Sequence, residues 1–222
     1  MNFYNWISNN YIEVFGAVTG ILYVILEIRQ NIWLWPVGII TSAVYIWVFL
    51  TGKLYADMGL QGYYLVISVM GWYWWLKGAG LRAQGSERRG QDANVLPSLE
   101  GQGVGNKVQR KLPVTNLRPG IAIKLSIVFV VIFFSMWLIL DRLTDSPVPA
   151  WDSFITSLSI IATWMLARKI YEHWFLWIVV NVAAALLFYT RGLYPTVILY
   201  IVYCAMSFVG LVEWKKTLKK RL

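Results

Sequence analysis

The sequence predicts an all-α polytopic membrane protein with seven transmembrane helices, arranged 3+1+3 as two parallel three-helix repeats linked by a central helix. Three observations carry this. The 222 residues contain a series of apolar runs close to the ~20 residues that a helix needs to cross a hydrocarbon core. A stretch of the first half returns in the second half, displaced by 139 positions. The basic residues fall almost entirely on one side of the topology that these runs imply.

Taken in order, helices are expected over 11–28, 32–50 and 58–76, the last two joined by the polar turn TGKLYAD. Trp, Tyr and Lys flank these runs, as side chains anchored at the headgroup level do. From Lys77 to Pro119 the chain turns rich in Gly, Gln, Arg and Lys, and this stretch is expected to be a flexible loop. A fourth helix, over 120–140, is rich in Val, Ile and Phe. The segment DRLTDSPVPAWD breaks it with prolines. Helices over 153–167, 174–189 and 193–214 complete the set, before a basic tail. The organisation expected is a first repeat at 1–77, a basic cytoplasmic loop at 78–119, a linker helix at 120–140, a second repeat at 150–216 and a tail at 217–222.

The repeat is read without gaps. Thr51 falls on Thr190, Leu54 on Leu193, Tyr55 on Tyr194, Leu60 on Leu199 and Tyr64 on Tyr203. Ser68 falls on Ser207, Gly71 on Gly210, Trp75 on Trp214 and Lys77 on Lys216. Composition alone would give about two or three such matches. The register extends upstream to Phe15 with Phe154, Arg29 with Arg168, and Trp35 with Trp174. Three crossings end on the far side of a membrane, so two such units in one orientation need a single helix between them. The fourth helix, which has no copy, supplies it. The same arrangement occurs in SWEET transporters, and in repeat-built transporters the solute sits near mid-membrane between the repeats.

Only Lys53, Arg142 and Arg191 among the 20 basic residues lie on the side opposite the C-terminus. This places the N-terminus outside and the C-terminus in the cytoplasm. It also accounts for the net charge of +9 as a topology signal, and no nucleic-acid partner is expected. The N-terminal MNFYNWISNNYIEVF has no positive region, so no cleavable signal peptide is expected. The one cysteine, Cys204, excludes a disulfide framework and a multi-cysteine metal site. No HExxH, P-loop or Ser/His/Asp set is present, and the helix centres hold no nucleophile or base. Neither an enzyme nor a cofactor is expected.

Ionisable groups inside helices are functional candidates by default. Glu27 and Arg29 are read as interfacial or as a local pair, Asp57 as a solvated helix-terminal anion, and His173 as an interfacial imidazole. Without an acidic relay, facilitated diffusion is the default mechanism. What the helix centres do hold is neutral polar and aromatic groups. Asn181 lies midway along the sixth helix, Ser42 is its repeat counterpart, and Gln61 and Tyr64 lie on the third. Trp6, Trp33, Trp35, Trp75, Trp151, Trp174 and Trp214 lie near predicted boundaries and read as an interface belt. Trp47, Trp72, Trp164 and Trp177 lie deeper. Trp177 and Asn181 are four residues apart and share a helix face. Indoles beside amides suit a flat aromatic solute, above all a cationic one.

The blocks NIWLWPVGIITSAVY, LYADMGLQGYY, GWYWW, LPVTNL, LDRLTDSPVPAWD, ARKIYEHWFLWIVVN and LYPTVILYIVY resemble the PnuC family of bacterial nicotinamide riboside transporters. The resemblance covers nearly the whole chain outside 82–111. It implies a SWEET-like fold, a homotrimer in the inner membrane, and facilitated diffusion of nicotinamide riboside. It also implies substrate contacts at Gln61, Trp164, Trp177 and Asn181, between helices two, three, five and six. Two positions depart from the family pattern. Thr163 stands where a Gln is expected before the fifth-helix Trp, and His173 where an Asn often precedes Trp174. Thr163 therefore leaves thiamine or another B-vitamin-type solute as an alternative, with a non-transporting membrane scaffold or receptor as a distant one.

Overall fold

The computed structural model describes residues 11–51, 55–77, 112–144 and 147–219. Trp6, Lys53, Asp145, the 78–111 part of the basic loop and the last three residues lie outside the described set, as do the side chains of Glu13 and Asp57. Among the described residues seven helices follow one another: α1 (Tyr11–Ile28), α2 (Leu34–Thr51), α3 (Tyr55–Lys77), α4 (Pro119–Leu143), α5 (Pro149–Ala167), α6 (His173–Thr190) and α7 (Tyr194–Lys219). Helices α4 to α7 are long and apolar enough to cross a membrane. The apolar stretches Val14–Ile28 and Leu34–Val48 of α1 and α2 are shorter.

Proline sets two of the starts. Pro119 and Pro149 occupy the first turns of α4 and α5, where a missing N–H costs nothing. The α2–α3 and α6–α7 hairpins are the closest-packed pairs, α5 bridges α3, α4 and α6, and α1 lies against α2 and α7. Helix α5 is the most enclosed element. Six of its buried residues are small, Ser153, Ser157, Ser159, Ala162, Thr163 and Ala167, beside Ile161, Met165 and Leu166. Small residues let helices approach closely where lipid offers no hydrophobic contrast. Three of its hydroxyls return to carbonyls one turn back: Ser153 to Pro149, Ser159 to Ile155 and Thr163 to Ser159, at 2.7 to 2.8 Å. Helix α4 is the opposite case. None of its residues is buried, and it packs chiefly on α5 through Phe129 against Phe154.

One end of the bundle is sealed by tryptophans. Trp35, Trp75, Trp174 and Trp214 are all buried, which corrects the expectation that they form an interface belt. Trp33 and Trp151 do sit exposed near helix ends, and Trp47 and Trp72, farther along their helices, are 68% and 38% exposed. Trp35 meets Trp75 edge-on at 5.4 Å and 89°, and Trp174 meets Trp214 at 5.8 Å and 83°. The rings of Trp35 and Trp174 lie on Gly71 and Gly210, where a Cβ would overlap them. The Trp75 indole donates to the Ala167 carbonyl (3.2 Å), at the end of α5. The Trp214 indole donates to the Glu27 carbonyl (3.1 Å), near the end of α1.

The ends of α1 and α5 are built alike. Gln30 and Lys169, 139 positions apart, are left-handed, with φ of 51° and 52°. The Asn31 N–H bonds to the Leu26 carbonyl and the Ile170 N–H to that of Met165. The Gln30 N–H reaches the Glu27 carbonyl, and the Lys169 N–H that of Leu166. This is the pattern that ends a helix on a left-handed residue. Here the residue is not glycine, and its side chain is used. Gln30 donates to Thr217 (3.2 Å), and the Lys169 ammonium lies 4.0 Å over the Trp75 ring.

The loop expected to be flexible as far as Pro119 is ordered at its end. Residues 112–118 run as a strap beside the α5–α6 turn. The Thr115 N–H bonds to the Lys169 carbonyl (3.0 Å), and the Tyr171 N–H to that of Thr115 (2.9 Å). The Leu117 N–H bonds to the Glu172 carboxylate (2.8 Å), and Val114 is buried in the tryptophan cluster.

Candidate solute-binding cavity

Above the tryptophan seal lies a cavity of 460 Å³ between α1, α2, α3, α5, α6 and α7. Its size is that of a small-molecule site. Gln61, Tyr64, Ser42, Trp177 and Asn181 all line it. Trp164 does not: it packs beside the tryptophan cluster with the Arg168 guanidinium 5.7 Å from its ring. Arg168 stands closer still to Trp74, at 4.3 Å. Thr163, one residue earlier on α5, does line the cavity. Helices α1 and α7, absent from the expected site, contribute Thr19, Tyr23, Glu27, Tyr200 and Tyr203.

The polar groups are partly committed. Asn181 donates its amide to Ser207 Oγ (3.1 Å), which in turn donates to the Tyr203 carbonyl (2.8 Å). The amide oxygen of Asn181 is thereby left to accept from a solute. The Thr163 hydroxyl is held by its own helix, so it offers less to a solute than a Gln amide would. Among the described residues, Trp174 Nε1, Trp177 Nε1 and Thr41 Oγ1 are buried at this cavity without a hydrogen-bond partner. Each is a donor whose desolvation a solute oxygen would offset.

The cavity is not symmetric. Position 38, 139 residues before Trp177, is glycine. A Cβ there would meet Ser68 Oγ at 2.9 Å and the Tyr23 ring at 3.1 Å. The Trp177 indole therefore has no counterpart on α2, where Ser68 and the Tyr23 ring occupy the place of a side chain at Gly38.

Glu27 and His173 are also corrected. Neither reaches solvent: Glu27 is 2% exposed and His173 fully buried. They are joined at 3.0 Å between Glu27 Oε1 and His173 Nε2. Sequence reasoning missed the pair because 146 residues separate its members. Nothing local to either one signals the other.

The family profile described as "Nicotinamide mononucleotide transporter" matches residues 10–216. The chain belongs to the nicotinamide mononucleotide transporter family. Its members form multi-pass membrane transporters, and the all-helical fold seen here agrees with that. The chain is 24% identical to the "Nicotinamide riboside transporter PnuC" of Escherichia coli over 213 residues, 96% of this chain and 88% of that protein. It is also 24% identical to the "Riboflavin/roseoflavin transporter RibM" of Streptomyces davaonensis, over 91% of this chain and 83% of that one. Among solved structures it matches the "Crystal structure of the Vitamin B3 transporter PnuC" with a TM-score of 0.67. That match has 23% identity and covers 96% of this chain and 84% of the other, and it establishes the shared fold. Relatives named for different vitamins thus each share 24% identity with this family member.

Proposed function

We propose that this protein carries nicotinamide riboside across a bacterial inner membrane by facilitated diffusion. The observation that carries the reading is the asymmetric cavity, with an unpartnered indole at Trp177 and amides at Asn181 and Gln61. A pyridinium ring lies against the indole face, where stacking and cation–π attraction add. Its carboxamide and the ribose hydroxyls pair with Asn181, Gln61, Ser42 and the Tyr64 hydroxyl. Trp164 is left outside the site. The protein works without a cofactor and makes or breaks no covalent bond.

The transport cycle is that of two parallel three-helix units, α1–α3 and α5–α7, rocking around the solute with α4 as linker. The matching left-handed helix ends and the matching Trp-on-Gly contacts 139 residues apart support this division. All seven helices cross the membrane, and the tryptophan-sealed end, next to the basic loop and tail, faces the cytoplasm. A homotrimer completes the reading.

The test is titration of purified protein with nicotinamide riboside, read by tryptophan fluorescence, with thiamine and riboflavin as competitors. Saturable quenching by nicotinamide riboside alone is expected. A response confined to another vitamin would retain the cavity and move the substrate. In proteoliposomes, uptake should persist when proton and sodium gradients are collapsed; strict dependence on either gradient would rule out facilitated diffusion.

A further inference from the structure

We infer that Glu27 and His173 form a one-proton latch between α1 and α6, which closes the sealed end of the cavity and must part for a solute to leave there. The inference builds on the transport reading above.

The proton count follows from geometry. His173 Nδ1 lies 2.7 Å from the Ile170 carbonyl oxygen. A carbonyl can only accept, so Nδ1 carries a hydrogen. Nε2 lies 3.0 Å from Glu27 Oε1, and the two side chains are 0% and 3% exposed. A hydrogen bond there needs one more proton, on the imidazole or on the carboxyl. In either form the pair holds that proton and has no net charge. Without it, a lone pair faces a carboxylate, and two acceptors make no bond.

The position suits a latch. Glu27 lines the cavity, and His173 stands behind it in the seal. The imidazole is enclosed by the Trp174 and Trp214 rings at 4.7 and 4.6 Å, and Trp214 also grips the Glu27 carbonyl. Other groups near the pair are few in kind. Tyr23 lies a turn earlier on α1 and interacts with Glu27. The one titratable residue of α2, Tyr45, sits in the half of that helix remote from the seal, against Phe15. On α7, Glu213, Lys215 and Lys216 are exposed. In the α5–α6 turn, the Lys169 ammonium lies over the Trp75 ring.

Opening this end separates α1 from α6 and breaks a buried hydrogen bond that is charge-assisted when the proton sits on the imidazole. Such bonds are about twice as strong as neutral ones. Glutamine at position 27 keeps a bond, because its amide donates to the bare Nε2 of a neutral imidazole, but it removes the titratable proton. Solute exchange should therefore depend on pH in the native protein, because the bond exists only while the pair holds its proton.

The chain has one histidine, so ¹⁵N-histidine labelling reports this imidazole alone. In nanodiscs, the native spectrum should show a protonated Nδ1 and an Nε2 that shares a proton. Glu27→Gln should leave Nδ1 protonated and Nε2 bare. A freely titrating native imidazole, or a spectrum unchanged by Glu27→Gln, would overturn the latch with no solute present. In proteoliposomes at equal pH on both sides, Glu27→Gln should exchange nicotinamide riboside about tenfold faster, with a flat pH profile. A native rate and native pH profile in the variant would overturn the latch. Exchange by neither protein would overturn the transport reading and the latch's role in it, while the spectrum still decides the pairing.

Discussion

Replacing Trp177 with alanine should weaken nicotinamide riboside binding about thirtyfold while leaving the fold intact. A desolvated cation–π contact contributes about 2 kcal/mol, and every 1.4 kcal/mol is a factor of ten. Trp177 is half-buried at the cavity, and its indole N–H has no partner among the described residues, so truncation breaks no internal hydrogen bond. Asn181→Ala should cost about tenfold or more by removing an amide from the same wall. Ser207 still has the Tyr203 carbonyl to donate to, so packing there survives. Trp164→Ala is the decisive comparison. It removes the same side chain from a neighbouring helix, but outside the cavity, where the ring stacks near Arg168. Its affinity should stay within about twofold of native. Equal losses for Trp164→Ala and Trp177→Ala, measured by titration calorimetry, would show that the cavity is not where the solute binds.

Gly210→Ala should destabilise the folded protein by about 3 kcal/mol. The new methyl group would overlap the Trp174 ring, at carbons Cη2, Cζ2 and Cζ3. That ring cannot swing away, because Trp214 stands edge-on to it and His173 lies against it. Overpacking a close-packed core costs about 1–3 kcal/mol, and a rigid indole clamped on both sides lies at or above the upper end. Gly71→Ala should behave likewise through Trp35. Gly62→Ala is the control: nothing lies within 4 Å of its added Cβ, and helix propensity favours alanine by about 1 kcal/mol. Monodisperse yield and thermal midpoint in detergent read all three. Native-like behaviour of Gly210→Ala would mean that the indole does not rest on the glycine.

Several of these residues were legible before any coordinates. Gly71 with Gly210 and Trp35 with Trp174 both recur at the 139-residue spacing, and their meeting in space explains why both members recur. Gln61, Trp177 and Asn181, which the family resemblance implies, and Tyr64 and Ser42, which lie at helix centres, converge on one cavity. Trp164, implied by the same resemblance, lies outside it. Depth along a helix is readable from the sequence, but rotation about its axis is not. For the same reason the four sealing tryptophans passed for an interface belt. They lie at the right depth for one, and on the opposite side of the helix.

The chain's own sequence determined the helices and their order. Those properties depend on run length and proline placement, and each is local. The tertiary structure decided which face of each helix turns inward. In a membrane, lipid is as apolar as the protein interior, so a helix that is apolar all round carries little hydrophobic signal of its inner face. Only close packing chooses the face, through a ring that fits over a glycine, a carbonyl within reach of an indole, or a carboxylate that finds the one imidazole in the chain.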